Sequence, residues 1–382
     1  VDFTRYLAGP FCTQILGDYG ADVVKIEPVD GARAEMGGGA DKDTYFFMST
    51  NRSKKSARIS TKSPEGRAAL ARMLASADVV VDNFRPGVME AMGFGYEALA
   101  ARNAKIIVCS ISGFGADGPM RDYPGFDQIA QGFSGLMSVT GTKESGPVRV
   151  GIAICDLLGG IFAAQGILLA LQARHRTGRG QKVETSLLEA IVSVLSWSAG
   201  IYFDTGKAPG PAGNHHPLSS PHGVFQAADR PFNIAVGNEA MWRTFVGVIA
   251  RAELADDPRF DRLGRRVKNR DELTAEINRA LAAHPADYWI DLFNRNGIPS
   301  GPILSMDEMF RHPQIAARSM MLTLPHPVHG EIKTTGLAVK LSETPGRISR
   351  PPLAGEQTDQ VLAEYGFSAE EIANLRAVKA IF

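Results

Sequence analysis

Across residues 1–112, short β-branched runs alternate with helix-patterned segments, and this alternation limits the fold more than any other feature. The strand-like runs are "VDF" (1–3), "ADVVKIE" (21–27), "DVVVDNF" (78–84) and "KIIVCSIS" (105–112). Between them lie "GPFCTQILGDYG" (9–20), with Pro10 suited to a first helical turn and Gly20 to a helix stop, and "SPEGRAALARMLASA" (63–77). In the latter, Ser63 is placed to cap the helix and Pro64 to begin it, because a proline lacks only an amide that the first turn leaves unpaired anyway. Strands alternating with helices predict an α/β fold built on a doubly wound, mostly parallel sheet.

The pattern then changes. A long helix is predicted over Leu157–His175, closed by "RTGRG" (176–180), followed by "QKVETSLLEAIVSVLSW" with a capping-box spacing at Ser186 and Glu189. Residues 205–223, "TGKAPGPAGNHHPLSSPHG", are rich in Pro, Gly and Ser and read as a linker. Beyond it, "GVFQAADRPFNIAVG" (223–237) reads as a hairpin, with helical patterns around 239–249, 268–282 and 285–296. After "NGIPSGPI" (296–303) come antiparallel strands over 321–342 and a capped helix over 368–381. The organisation expected is a large domain over 1–204, a linker over 205–223 and a small α+β domain over 224–305. Residues 306–382 are expected to form a linker and a C-terminal part that returns to the large domain.

Composition excludes several classes. Lys plus Arg number 41 and Asp plus Glu number 41, with no long basic run, so neither nucleic acid nor an anionic membrane surface is indicated. Three cysteines, Cys12, Cys109 and Cys155, with no C-x-x-C spacing, argue against a disulfide framework or zinc and for a reducing, cytoplasmic setting. The apolar stretch over 157–173 is shorter than the roughly 20 residues of a spanning helix and reads as a core helix. The chain opens without Met inside a strand-like run, so further residues are expected before Val1.

All eight histidines lie at or beyond His175, which excludes a catalytic His local to the α/β part unless later segments fold back. His215 and His216 are adjacent, the wrong spacing for two ligands on one helical face, and no metal site is expected. "GFGADG" (113–118) fits G-x-G-x-x-G after a strand, but Pro119 follows and no helix opens, so it reads as a glycine loop at a strand end. "NRSKKSARISTKS" (51–63) carries Arg52, Lys54, Lys55, Arg58 and Lys62, and reads either as a solvated basic loop or as a phosphate cradle. Asn83 and Arg85 follow a strand end. Asp156 precedes the longest apolar run and suits a helix N-cap. The N-cap is the reading the residues favour, and a carboxylate nucleophile or base kept ionised by capping amides is the compatible alternative, with Gly151, Gly159 and Gly160 letting a substrate approach. Cys155 reads as a packed small residue.

Taken in order, several blocks resemble the class III coenzyme A-transferase (CaiB–BaiF) family over nearly the whole chain. They are "DFTRYLAGPFCTQILGDYGADVVKIEP", "NRSKKS" with "SPEGR", "ADVVVDNFRPGVMEAMGF", "SISGFGADGP", "GIAICDLLGG", "RTGRGQKVETSLLEA", "GNHHP" and "PLAGEQTD". The resemblance implies transfer of coenzyme A from an acyl-CoA donor to a carboxylic acid, with Asp156 as nucleophile. The reaction would run through an aspartyl mixed anhydride and an aspartyl–CoA thioester. It implies CoA contacts at Ile59, Ser60, Thr61 and Lys62, at Asn83, Phe84 and Arg85, and at Ser112, Gly113 and Phe114. CoA would be a substrate, with no permanently bound cofactor. It further implies a large Rossmann-like domain drawn from both chain ends, a small domain between them, and an interlocked homodimer.

The chain departs from the pattern in places. Related racemases carry a catalytic His in a "GHD" context where this chain has Phe126, so a 2-methylacyl-CoA racemase or other acyl-CoA proton-transfer enzyme is the alternative the residues favour less. A non-catalytic CoA-binding paralogue is a further alternative, against which the intact Asp156 stands. Oxalate-using formyl-CoA transferases carry four consecutive glycines that are missing after the linker here, and Leu7 replaces their Gln, which argues against an oxalate acceptor. Ala91 stands where many relatives place an Arg near CoA.

Overall fold

The computed structural model describes residues 1–29 and 44–382. They form two compact units, one comprising Val1–Met137, Arg149–Ala208 and Ser319–Phe382, the other Ser138–Val148 and Pro209–Arg318.

The first unit is built on a parallel sheet. Its strands are β1 (Val24–Glu27), β2 (Lys55–Arg58), β3 (Val79–Asp82), β4 (Ile107–Ser112) and β5 (Lys182–Ser186). β1 pairs with β2, β3 with β4 and β4 with β5, all in parallel. The segment 1–3 closes the gap: Asp2 bridges Lys25 on one side and Val81 on the other. The sheet therefore runs β2, β1, segment 1–3, β3, β4, β5, and the direction in which the chain adds strands reverses between segment 1–3 and β3. Open sheets of this kind bind ligands where that reversal leaves a crevice at the strands' carboxyl ends.

Both faces of β3 and β4 are covered, which is why their runs Val79–Val81 and Ile107–Cys109 are continuously apolar rather than alternating. Val80 and Val108 point to a core completed by Leu70, Met73 and Leu74 of the helix Pro64–Ser76 and by Val361 and Leu362. Val81 and Cys109 point the other way, to Cys12 of the helix Ala8–Asp18 and to Ala163, Ala164 and Ile167 of the helix Ile154–Thr177. This last helix has 24 residues and is apolar enough to span a bilayer by length and composition. Its packing against the sheet marks it as a core helix, although Ile161, Leu168 and Leu169 remain exposed. Gly178, with φ +68°, ends it. The C-terminal residues bind β2: Gln357 N–H donates to the Ser56 carbonyl, Ser60 N–H to the Ala380 carbonyl, and Ile59 bridges Ile381.

The basic stretch over 51–63 is neither a solvated loop nor a cradle as a whole. Arg52 is buried against Asp18 at 2.8 Å, Lys54 is buried against Asp2 at 3.1 Å, and Lys55–Arg58 is β2 itself. Lys54 also donates to the Pro10 carbonyl and to Asn51 Oδ1, while Asp2 accepts from Thr4 and Thr13. Two of the five cations are thus spent on buried carboxylates, which charged groups in a core require. Helices Leu187–Ser193 and Ser196–Thr205 meet at a 72° bend, and Trp197, Tyr202 and Phe203 of the second are exposed.

The second unit holds an antiparallel sheet of Ser300–Pro302, Pro231–Ala235 and His222–Gln226. Helices Glu239–Val248, Arg270–Leu281 and Ala286–Arg295 accompany it around Phe232, Phe245, Phe260 and Phe293.

Candidate active site

A cleft of about 280 Å³ opens at the carboxyl ends of the strands in the first unit, at the reversal between segment 1–3 and β3. Tyr6, Leu7 and Ala8 reach it from the loop after segment 1–3, and Asn83, Phe84, Arg85 and Pro86 from the loop after β3. Ser112 and Gly113 come from the end of β4 and Leu187 from the end of β5. Arg121, Tyr123 and Phe126 line it from the long loop after β4, and Asp156 lies on its wall. A second cleft of about 330 Å³ shares Phe84, Arg85, Ser112 and Arg121 with the first and adds Asp82, Phe114 and Lys182.

Local bonding fixes the loops. Asn83 accepts the Arg5 N–H at 2.8 Å and donates to the Arg5 carbonyl at 2.6 Å, so its amide ties the two cleft loops together. Next to Arg5, Tyr6 takes φ +63°, a left-handed conformation costly for an aromatic residue, and stacks edge-on with Phe126 at 5.9 Å. Ser112 Oγ accepts the Gly115 N–H at 2.9 Å. Gly113 and Gly125 cross so closely that a Cβ on Gly113 would stand 2.7 Å from the Gly125 Cα, which is why both positions carry no side chain.

Asp156 does not cap its helix. The helix Ile154–Thr177 begins after Ala153, and Asp156 sits within its first turn. The bond to that turn comes from Asp127, whose Oδ1 accepts the Cys155 N–H at 2.8 Å. The expectation that capping holds Asp156 ionised is therefore corrected. Burial first, and the Asp127 charge second, push the Asp156 carboxyl up to about 7. A carboxylate that titrates there is a stronger nucleophile than an ordinary one, and about half of it is ionised at neutral pH. Burial pushes the neighbouring Cys155 thiol up to about 12, with Asp127 adding to the effect, so Cys155 stays protonated and inert.

The glycines of the helix serve packing rather than substrate access. A Cβ on Gly160 would meet the Ala8 carbonyl oxygen at 2.6 Å, and one on Gly159 would meet Leu187 at 3.1 Å.

Asp156, Asn83, Phe84, Arg85, Ser112 and Gly113 thus share one cleft, with Phe114 in the adjoining one. Ile59, Ser60, Thr61 and Lys62 line neither. They follow β2 on the same edge of the sheet, three strand spacings from β3, or about 14 Å. Ile59 is fully buried, so its side chain belongs to the core and offers a ligand nothing. Ser60 Oγ accepts the Lys62 and Ser63 amides and shapes the turn into the helix Pro64–Ser76. Sequence reasoning missed Tyr6, Arg121 and Asp127. For Asp127 a signal existed: Gln131 lies four residues on, the spacing that puts two polar groups on one helical face.

The chain resembles known proteins along nearly its whole length. CoA-transferase family III matches residues 1–358. The chain is 40% identical to the acetyl-CoA:oxalate CoA-transferase of Acetobacter aceti over 96% of this chain and 94% of that protein. It is 36% identical to the succinate–glutarate CoA-transferase of Agrobacterium fabrum over 95% and 94%. A crystal structure of a CaiB/BaiF family protein from Brucella suis superposes with a TM-score of 0.84 at 33% identity, covering 95% of this chain and 97% of that one. The chain therefore belongs to CoA-transferase family III, the CaiB/BaiF family, and is a CoA-transferase.

Proposed function

We propose that the enzyme transfers CoA between two carboxylic acids with Asp156 as the covalent nucleophile. The observation that carries this is the position of Asp156, a partly buried carboxylate at the sheet's crevice, beside Arg85 and the Ser112–Gly113 loop end. Its carboxylate attacks the thioester carbon of the donor, the C–S bond breaks, and CoA leaves as a thiolate with the electron pair. The thiolate then attacks the aspartyl carbonyl carbon of the mixed anhydride and expels the donor acid as a carboxylate. An acceptor carboxylate attacks the aspartyl–CoA thioester, and the sequence runs in reverse to give the new acyl-CoA.

Arg85 and the backbone of Ser112–Phe114 hold the pantetheine and phosphate arm along the carboxyl edge of the sheet, with Ser60, Thr61 and Lys62 further along it for the nucleotide end. CoA is a substrate in this reading and is not retained between turnovers. Phe126 lies in the cleft with no proton to exchange, which disfavours the racemase alternative. The acceptor is read as a small dicarboxylate. Named relatives act on oxalate and glutarate, so oxalate stays among the acids to be assayed despite Leu7 and the missing glycine run. The exposed apolar residues Leu168, Leu169, Trp197 and Phe203 support a homodimer that covers them, of the interlocked kind the family resemblance implies.

The test is a trap. Incubating the protein with succinyl-CoA and then hydroxylamine or borohydride is expected to leave modified Asp156 in peptide mass analysis. Full transferase turnover by Asp156→Ala would sink the reading.

A further inference from the structure

The polar groups behind Asp156 form a clamp that the transfer chemistry alone does not explain. Asp127 and Gln131 lie one helical turn apart on the short helix Asp127–Phe133, and both are buried. Asp127 Oδ1 accepts the Cys155 N–H at 2.8 Å, and Oδ2 accepts from Gln131 Nε2 at 2.7 Å. Gln131 Oε1 accepts the Val150 N–H at 2.8 Å, and its Nε2 also donates to the Ile152 carbonyl at 3.2 Å. Two side chains thus hold three points between Val150 and Cys155, the segment that leads into the nucleophile's turn. Such bonding fixes a turn at a separation where small displacements cost rate.

Building this clamp with a carboxylate has a cost. A backbone amide would be satisfied equally by an Asn or Gln oxygen, without bringing a second negative charge beside Asp156. The sole cation paired with Asp127 among the described residues is Arg149, at 3.7 Å and half exposed. Arg85 and Arg121 face Asp156 across the cleft, as do Tyr6 and Tyr123, and the Cys155 thiol is adjacent. The displacement of Asp156 is upward, with burial as its first cause and the Asp127 charge as its second.

Resting on the aspartyl-nucleophile reading above, we propose that Asp127 is the positioning residue of this site. It clamps the first turn of the Asp156 helix and, as a like charge, favours every intermediate in which Asp156 carries none. The electron accounting supports this. When Asp156 attacks the thioester, the negative charge passes to the departing CoA sulfur. When the thiolate attacks the anhydride, the charge passes to the released acid. Asp156 is uncharged in both covalent states, so the repulsion from Asp127 acts on the resting enzyme and vanishes on acylation.

The test measures the titration of Asp156 without turnover. Carbodiimide-driven coupling of glycine ethyl ester to Asp156, mapped by peptide mass across a pH series, reports its protonated fraction. The expected midpoint in the parent enzyme is about 7. In Asp127→Asn, which retains an acceptor for the Cys155 N–H, the midpoint is expected to fall by about one unit or more. The acid limb of succinyl-CoA:glutarate transfer should fall with it, and kcat should drop more than KM changes. Arg149→Gln, on the surface and safe for folding, is expected to move the midpoint upward. A midpoint unmoved in both variants overturns the proposal, as does an Asp127→Asn enzyme with the parent's kcat and acid limb. A parent enzyme that shows the midpoint but forms no adduct on Asp156 overturns the nucleophile reading instead.

Discussion

Gly160 lies so close beneath Ala8 that a Cβ would stand 2.6 Å from the Ala8 carbonyl oxygen. The contact joins the helix that carries Asp156 to the helix that opens after Tyr6 and Leu7, so it sets the distance between two walls of the cleft. Gly160→Ala raises intrinsic helix propensity, yet it is expected to destabilise the protein by about 1–3 kcal/mol, because a backbone carbonyl cannot move aside as a side chain can. Thermal denaturation checks this; a rise in Tm would contradict the packing role.

Activity is expected to depend on pH through Asp156. Its carboxyl is raised to about 7, and only the ionised form attacks. The rate should therefore rise with pH through about 7 and level off above it. A profile already flat from mildly acidic pH upward would exclude Asp156 in this state as the group observed.

The same shift predicts a trade between stability and function. A carboxyl whose folded value is raised from 3.8 to about 7 stabilises the unfolded state progressively as pH rises through that window. Asp156→Asn removes this penalty. It should match the parent near the unfolded value, gain stability as pH increases, and hold a constant advantage of about 2–4 kcal/mol above neutrality. Transfer activity should fall by roughly 10³-fold or more in the same variant. Denaturant titrations at several pH values, alongside turnover, measure both effects.

Lys54 and Asp2 form a fully buried ion pair under the loop that delivers Tyr6. Lys54→Met removes one of the two buried ammonium groups beside Asp2, leaving Lys25 and the Thr4 and Thr13 bonds, and is expected to cost about 2–4 kcal/mol. The double variant with Asp2→Asn should recover part of the loss, since two neutral residues need no mutual charge. Equal stability of the single and double variants in urea would refute the coupling.

Arg85 is exposed at the mouth of both clefts. Arg85→Ala is expected to raise KM for succinyl-CoA by about tenfold or more, the loss of one charge-assisted contact, with a smaller effect on KM for the free acid. Equal change in both constants would place the acid rather than CoA at Arg85.

Much of the architecture is legible in local sequence, since helix caps and strand periodicity are short-range. Ser63 accepts the Gly66 amide with Pro64 beginning the helix, and Ser186 Oγ accepts the Glu189 amide as the spacing predicts, although the Glu189 carboxylate takes its bond from Ser186 Oγ instead of closing the capping box on the backbone. The paired hairpin strands His222–Gln226 and Pro231–Ala235 likewise follow from their pattern. The cations of 51–63 were not legible as buried, because nothing local to Arg52 or Lys54 distinguishes a surface charge from one whose partner, Asp18 or Asp2, lies more than thirty residues away.

The sequence by itself determined the strand–helix alternation, the apolar helix with its one carboxylate, and the family likeness that singles out Asp156. Only the tertiary structure decided what surrounds that carboxylate. It seated Asp156 inside the first turn rather than at the cap and supplied the turn's bond from Asp127. It also raised the carboxyl by burial beside a like charge. A titration value depends on solvent exclusion and on charges brought close through space, and twenty-nine positions separate Asp127 from Asp156 along the chain.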